Sequence, residues 1–459
     1  MVLAQPEPRS TESVAFNGSF KVVTWGCQMN VEDSEQMELM LKASGLAEAP
    51  DLESADVILL NTCSVRKKPE DKAFSLLGEL REVKSRRPNV VIGICGCMAQ
   101  LRADEIKRRA PHVDFVIGTA QVALVPTLVL EAKQARNFQK RLDLPARKGA
   151  VVTSLPERYV GRAGKLKSFV PIQYGCDKFC TFCIVPTTRG RERSRPTMDI
   201  LREVTELASR GTKEVTLLGQ TVNSYGKNML EGKVPFAKLL RLVAGVPGIE
   251  RIRYTSPYPR DFTDDLIATH KDVPKVMEHC HLPLQSGDNE VLKHMKRLYT
   301  VESYTDIYNR LRSIPGMSVT TDIIVGFPGE TDDQFLNTMK VVETLRFDSA
   351  FMFAYSQRPG TPAANWDEQV PTEVKKRRLN ELIALQNEIT LAINMKQAGT
   401  TFEVLVEGVS EKDPTLLKGY TRHNKVVHFP GNRALAGNLV FVETTEGHPW
   451  GFFGQVVSR

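Results

Sequence analysis

Long hydrophobic runs are missing from this chain of 459 residues. No apolar stretch approaches the roughly 18 residues that a bilayer-crossing helix needs, which excludes a bundle of membrane-spanning helices. Cysteine is scarce as well: 8 residues in 459 are too few for a small disulfide-built scaffold. Nothing at the amino terminus reads as a secretory leader, so a reducing, cytoplasmic setting is expected. Structural zinc usually calls for two separated cysteine pairs, and no distant second C-x2-C pair is present. His423, His428 and His448 are too scattered to argue for a metal. The 41% hydrophobic and 25% charged content is ordinary for a globular protein, and the length suggests two to four domains.

Neither charge sign dominates, with 61 Lys or Arg against 54 Asp or Glu, but the distribution is uneven. From Arg136 to Arg195 there are 14 basic and 4 acidic residues, a local excess of 10. The net charge of +7 less that excess leaves the remaining chain at −3. A basic stretch of this kind is the footprint of a polyanion partner, with nucleic acid the leading case, or else a solvated linker.

Inside that stretch lies the run Cys176-Asp-Lys-Phe-Cys180-Thr-Phe-Cys183. Three thiols at spacings of four and three can hold three irons of a 4Fe-4S cluster and leave the fourth iron open for a small molecule. A zinc site short of one ligand is the competing reading.

Three regions follow from periodicity. Between about Ser19 and Arg136, buried strands at Lys21 to Trp25, Val57 to Leu60, Val90 to Ile94 and Val113 to Ile117 alternate with helical patterns. The helices are expected at Glu32 to Ala43, Glu70 to Lys84 and Ala99 to Arg109, which predicts an α/β domain with an open parallel sheet. Cys27, Cys63 and Cys97 follow the first three strands at separations of 36 and 34 residues, about one βα unit each. Ligands of open parallel sheets bind beyond the carboxyl ends of the strands, so these thiols would converge there. That pattern suggests a second three-thiolate cluster, or three buried thiols that recur by chance. Cys95 and Cys280 read as core residues.

From about Ser168 to Asn394, six strand patterns separated by helices predict a partial (β/α)6 barrel, with the cysteine run leaving its first strand at the carboxyl end. Later strands end in turns carrying Gln220, Gln285, Ser286 and Glu330, whose polar groups could orient a ligand or serve the turns alone. From Met395 to Arg459, short β-rich runs predict a small all-β barrel with 7 basic and 6 acidic residues. The expected division is a disordered tail over 1–18, a first domain over 19–136, a basic linker over 137–167, the barrel over 168–394 and the small barrel over 395–459.

The segments TWGCQMN (24–30), LNTCSVR (60–66), GCMAQ (96–100) and GCDKFCTFCIVPTTRGRERSR (175–195) together resemble the radical S-adenosylmethionine methylthiotransferase family. HLPLQSG, MKRLYT, DIIVGFPGET and AFMFAYSQRPGTPAA extend the resemblance over nearly the whole chain after residue 20. It implies a TRAM-like, tRNA-binding final domain and two 4Fe-4S clusters, one on Cys176, Cys180 and Cys183 and an auxiliary one on Cys27, Cys63 and Cys97. S-adenosylmethionine would serve as both methyl donor and radical source. Within the family the motifs are most similar to the branch that adds a methylthio group to carbon 2 of N(6)-isopentenyladenosine beside the tRNA anticodon. Branches acting on a ribosomal-protein aspartate or on threonylcarbamoyladenosine are the alternatives, and a zinc-stabilised tRNA-binding protein is the non-enzyme one.

Under the resemblance, Phe182 packs on the cofactor adenine, while Gln220, Gln285, Ser286, Arg297 and Glu330 are candidate polar contacts to S-adenosylmethionine. Arg189, Arg191, Arg193 and Arg195 are candidates for RNA phosphate or the cofactor carboxylate. An electron donor of the flavodoxin or ferredoxin type and a monomeric state complete the expectation.

Overall fold

A computed structural model describes residues 17–64, 67–135, 137–144 and 164–457. Most of the tail and of the basic linker lie outside these residues. The chain divides into two compact units, the first ending near Pro145 and the second running from Ala163 to the carboxyl terminus.

The first unit holds strands β1 (Ser19–Trp25), β2 (Ala47–Glu48), β3 (Val57–Thr62), β4 (Val91–Gly96), β5 (Phe115–Ile117) and β6 (Gln139–Arg141). Its helices are α1 (Gln28–Ala43), α2 (Lys67–Arg86), α3 (Cys97–Arg109) and α4 (Val125–Ala135). The sheet order is β2-β1-β3-β4-β5-β6 and every pairing is parallel. Because strand side chains alternate between faces, β3 and β4 supply two cores at once. Ile58, Leu60, Ile92 and Ile94 pack on Leu77 and Leu80 of α2 and Ile106 of α3. Leu59, Val91, Cys95 and Ile117 pack with Met37 and Leu41 of α1 and Leu128 and Val129 of α4. Cys95 therefore lies in the core. The sheet also takes in Gln139–Arg141, which the sequence reading gave to the linker; β6 is a short polar edge strand on β5.

In the second unit, β7 (Lys167–Pro171), β8 (Gln173–Tyr174), β9 (Arg193–Ser194), β10 (Glu214–Leu218) and β11 (Arg251–Tyr254) are followed by β12 (His279–His281), β13 (Ser318–Val325) and β14 (Ser349–Ala354). Its helices are α5 (Val185–Thr188), α6 (Thr197–Ser209), α7 (Phe236–Ala244), α8 (Asp264–Asp272), α9 (Asn289–His294), α10 (Val301–Arg312), α11 (Asp332–Leu345) and α12 (Thr372–Met395). The sheets β11-β10-β7 and β12-β13-β14 are parallel throughout, and a parallel bridge from Ile252 to Val276 joins them. The six expected strands thus form one open barrel, with Cys280 fully buried in its core.

Strands β15 (Thr401–Val409), β16 (Leu416–Thr421), β17 (Val426–Pro430), β18 (Leu439–His448) and β19 (Gly451–Val456) close a small barrel in the order β15-β16-β17-β19-β18. It docks on the amino ends of the large barrel's strands. The fully buried Arg251 donates to Oε1 of Glu403 at 2.9 Å and to the Tyr420 carbonyl at 2.8 Å. Arg253 reaches the carbonyls of Thr421 and Arg422 while pairing with Glu214 at 3.1 Å. Burying two guanidinium groups is costly unless each is paired and hydrogen-bonded, and both are.

Candidate active site

The cysteine loop is built by closing a hairpin. Gln173 and Tyr174 of β8 pair with Ser194 and Arg193 of β9, so residues 175–192 leave and return at one point. Gly175 sits in the left-handed region at φ +70, and a Cβ there would lie 2.2 Å from the Arg191 carbonyl oxygen. Only glycine permits that approach. The Cys176 amide donates to the Gly190 carbonyl at 3.1 Å, and the Cys183 amide to the Cys180 carbonyl at 3.1 Å. Thr181 anchors the far side of the loop: its amide donates to Met295 O at 3.2 Å and its hydroxyl to His294 O at 2.8 Å, while its carbonyl accepts from Ala363 N at 3.0 Å.

Burial pushes the Cys176 thiol far above its ordinary range, and the neighbouring Cys183 and Cys180 raise it further. Cys176 and Cys180 are buried and Cys183 is half-buried beside them. Such a donor set fits a group that brings positive charge to each thiolate, as an iron-sulfur cluster does. Arg297 donates from Nη1 to the Cys180 sulfur at 3.4 Å, and its guanidinium lies over the rings of Tyr258 and Tyr299. Among the described residues no three His, Cys, Asp or Glu are grouped to hold a single metal ion. A cluster takes one thiolate per iron, so its ligands surround a larger body.

The second trio is placed by sheet register. Trp25 is level with Thr62, and Thr62 with Gly96, so Cys27, Cys63 and Cys97 leave adjacent parallel strands at one edge. With the order β2-β1-β3-β4, successive strands are added on opposite sides of β1 while all stay parallel, so the gap between β1 and β3 is the topological switch point where doubly wound sheets bind ligands. A Cβ on Gly26 would lie 2.9 Å from the Cys63 Cβ. On Gly96 it would lie 2.4 Å from Asn61 Oδ1 and 2.6 Å from the Thr62 carbonyl oxygen. The two glycines thus leave room for the Asn30 and Asn61 side chains, which pack directly against the cysteine-bearing segments. Asn30, fully buried, accepts from the Cys27 sulfur at 3.3 Å and donates to Asn61 at 3.1 Å. Asn61 in turn donates to Ser34 Oγ at 2.9 Å. Cys63 and Cys97 are each 2% exposed while Cys27 is half-buried, so this trio too offers buried thiols with one accessible side.

The remaining expected site residues divide. Phe182 packs edge-on against Phe327 at 6.3 Å beside the loop. Gln220 lies half-buried in the bend after β10. Gln285 is buried with a left-handed backbone at φ +75, and its amide donates to the Asp322 carbonyl at 2.8 Å. The Ser286 hydroxyl is engaged in its own turn, accepting from the Asp288 amide at 3.3 Å. One Glu330 carboxylate oxygen accepts from both the Gly326 amide and Arg378 Nη1 at 2.7 Å, which pins the turn after β13 to α12.

The arginine run has partners within the protein. Arg191 forks onto Asp177 at 2.7 and 3.0 Å, and Arg195 pairs with Glu203 at 2.7 Å. Arg193 donates to the carbonyls of Arg191 and Arg189, and Arg189 is itself buried. These groups brace the loop because a long buried hairpin needs donors for its own carbonyls.

Sequence reasoning missed Glu192, Lys178 and Asp261. Burial pushes the Glu192 carboxyl up to about 7, against the opposing pull of the Thr221 hydroxyl, which donates at 2.9 Å. Lys178 of the cysteine loop pairs with Asp261 at 2.6 Å across 83 positions of sequence, a separation that leaves no local signal.

Three family models match in chain order. They are Uncharacterized protein family UPF0004 over residues 19–118, the Radical SAM superfamily over 170–342 and the TRAM domain over 396–457. The tRNA-2-methylthio-N(6)-dimethylallyladenosine synthase of Thermoanaerobacter sp. (strain X514) is 46% identical, with 97% of this chain and 94% of that protein covered. The proteins of that name from Carboxydothermus hydrogenoformans and Moorella thermoacetica are 46% and 47% identical, each over 96% of this chain and at least 98% of their own length. Among solved structures, the radical S-adenosylmethionine methyltransferase TsrM from Kitasatospora setae superposes with a TM-score of 0.55 at 13% identity, covering 87% of this chain and 80% of its own, a likeness of fold alone. With both cysteine trios, the three matched domains and near-full-length identity of this order, the chain belongs to the radical S-adenosylmethionine tRNA methylthiotransferases, alongside the tRNA-2-methylthio-N(6)-dimethylallyladenosine synthases.

Proposed function

We propose that this enzyme adds a methylthio group to carbon 2 of N(6)-isopentenyladenosine in the anticodon loop of tRNA, using two 4Fe-4S clusters. The observation that carries the two-cluster reading is the second trio: three adjacent parallel strands each deliver one cysteine to a common edge at the switch point. When bound, a cluster on Cys176, Cys180 and Cys183 supplies the electron for reductive cleavage of S-adenosylmethionine, and one on Cys27, Cys63 and Cys97 supplies the sulfur.

The protein's own contributions follow from the geometry. Carbon 2 of adenine carries a hydrogen that no side-chain base removes, so the chain needs to exclude water and hold the base rather than provide acid-base groups. Burial of Cys176 and Cys180, each 7% exposed, supplies the water-poor surroundings. Arg297 places a positive charge against the Cys180 sulfur, which favours added negative charge there. Phe182 offers an aromatic edge beside the loop, and the hydrogen-bonding groups of Gln220 and Gln285 stand at the carboxyl ends of the strands, where barrel substrates lie. The target base must leave its stack to reach such a site.

The TRAM domain supports tRNA as partner, and no helix among the described residues is long and apolar enough to cross a membrane. A flavodoxin- or ferredoxin-type donor, a cytoplasmic location and a monomeric state belong to the same reading. The test is mass spectrometry of tRNA nucleosides from cells lacking the protein. Loss of the methylthio form with accumulation of the isopentenyl precursor is expected; an unchanged profile would favour a ribosomal-protein substrate.

A further inference from the structure

The arginines that follow the cysteine loop are spent on the loop itself, and the small barrel grips the amino ends of the strands. Phosphate contacts beside the cysteine loop therefore fall to the rim of the large barrel. One cavity there has the right composition. It encloses about 390 Å³ between the segments that follow β10 and β11 and the starts of α7 and α8.

Three cations line it from the two connecting segments: Lys227 and Lys233 from the one after β10, Arg260 from the one after β11. The one carboxylate on its wall, Asp261, is already neutralised. It accepts from Lys178 at 2.6 Å, from Lys227 at 2.5 Å and from the Ser224 hydroxyl at 2.6 Å. Lys233 and Arg260 are exposed and have no ion-pair or hydrogen-bond partner among the described residues. Between the cations run apolar groups, the half-buried Val234 and Phe262 and the exposed Pro235. Unpaired cations over an apolar wall, in a volume typical of small-ligand sites, match a nucleotide, with phosphate on the cations and the flat base or sugar on the wall.

Asp261 also ties this cavity to the chemistry, because the Lys178 that it holds lies between Cys176 and Cys180. We propose that the cavity binds a nucleotide of the RNA strand flanking the modified adenosine, with Lys233 and Arg260 on its phosphates. Splaying one base out of a loop leaves its neighbours to be held by their backbone, and this rim pocket does so next to the cysteine loop. The proposal rests on the RNA-modifying reading above and adds the place where the strand is held.

The test uses the full-length, cluster-loaded protein and a synthetic RNA stem-loop with isopentenyladenosine in its loop. The double variant Lys233→Gln with Arg260→Gln should bind this RNA roughly tenfold or more weakly. The slope of log K against log salt should become shallower by about 1.4, from two single-strand phosphate contacts at about 0.7 each. Iron content and thermal melting are compared in parallel, and both side chains are exposed enough for these to hold. An unchanged slope with intact wild-type binding overturns the pocket and leaves the functional reading standing. If AMP binds the wild-type protein and is lost in the variant while the RNA slope is kept, the cavity takes free mononucleotides and the proposal fails. Wild-type protein that binds no RNA overturns both.

Discussion

The two cysteine trios reach a similar end by opposite routes. Cys176, Cys180 and Cys183 come from one hairpin loop whose shape is set locally by Gly175, the β8–β9 pairing and the arginines beneath it. Cys27, Cys63 and Cys97 come from the carboxyl ends of three strands whose common determinant is the register of a parallel sheet. A loop site is insulated from distant packing, whereas a sheet site is assembled only when the whole domain is. The first should fail by local damage, and the second should fail with the sheet.

The largest expected effect tests the loop. Replacing Cys176, Cys180 and Cys183 together by Ala should remove about half of the bound iron and abolish reductive cleavage of S-adenosylmethionine. Formation of 5′-deoxyadenosine by that variant would sink the assignment. Next come the glycines that let the turns close. Gly175→Ala forces a Cβ against backbone and should cost a few kcal/mol locally, read as loss of the loop's iron with the first domain's iron retained. Gly96→Ala, with φ +88 and contacts to Asn61 and Thr62, should do the reverse, and iron analysis paired with thermal melting separates the two.

A smaller effect is expected at the Asn30–Asn61 network. Asn61→Ala leaves buried partners unsatisfied and should destabilise the first domain by about 1–3 kcal/mol, seen as a lower urea midpoint without change at the loop. Smallest is Arg297→Gln, which keeps a donor but removes the charge beside the Cys180 sulfur. The reduction potential of the loop's cluster should fall by about 40 mV for roughly 1 kcal/mol of lost stabilisation, measured by EPR-monitored titration. A potential that does not move would show that the guanidinium serves only the Tyr258 and Tyr299 stack.

The same contrast explains what was legible in the sequence. The loop trio is visible as local spacing, and the sheet trio as a repeat of one βα unit, because both periods are written along the chain. The six barrel strands are legible for the same reason: continuous buried runs such as those of β10 and β11 carry their own signal. The edge strand β6 was not, since Gln139–Arg141 is polar and pairs with only one neighbour. The partners of the arginine run were not legible, because charge in sequence does not reveal burial: Arg191 pairs with Asp177 and Arg195 with Glu203. Lys178 with Asp261, and the cavity beyond them, exist only once distant loops meet.

The division of labour between the trios is the central claim, and one assay reaches it most directly. The variant with Cys27, Cys63 and Cys97 replaced by Ala, supplied with reductant, S-adenosylmethionine and isopentenyladenosine RNA, should still form 5′-deoxyadenosine but no methylthio nucleoside. Methylthio product from that variant would contradict the account.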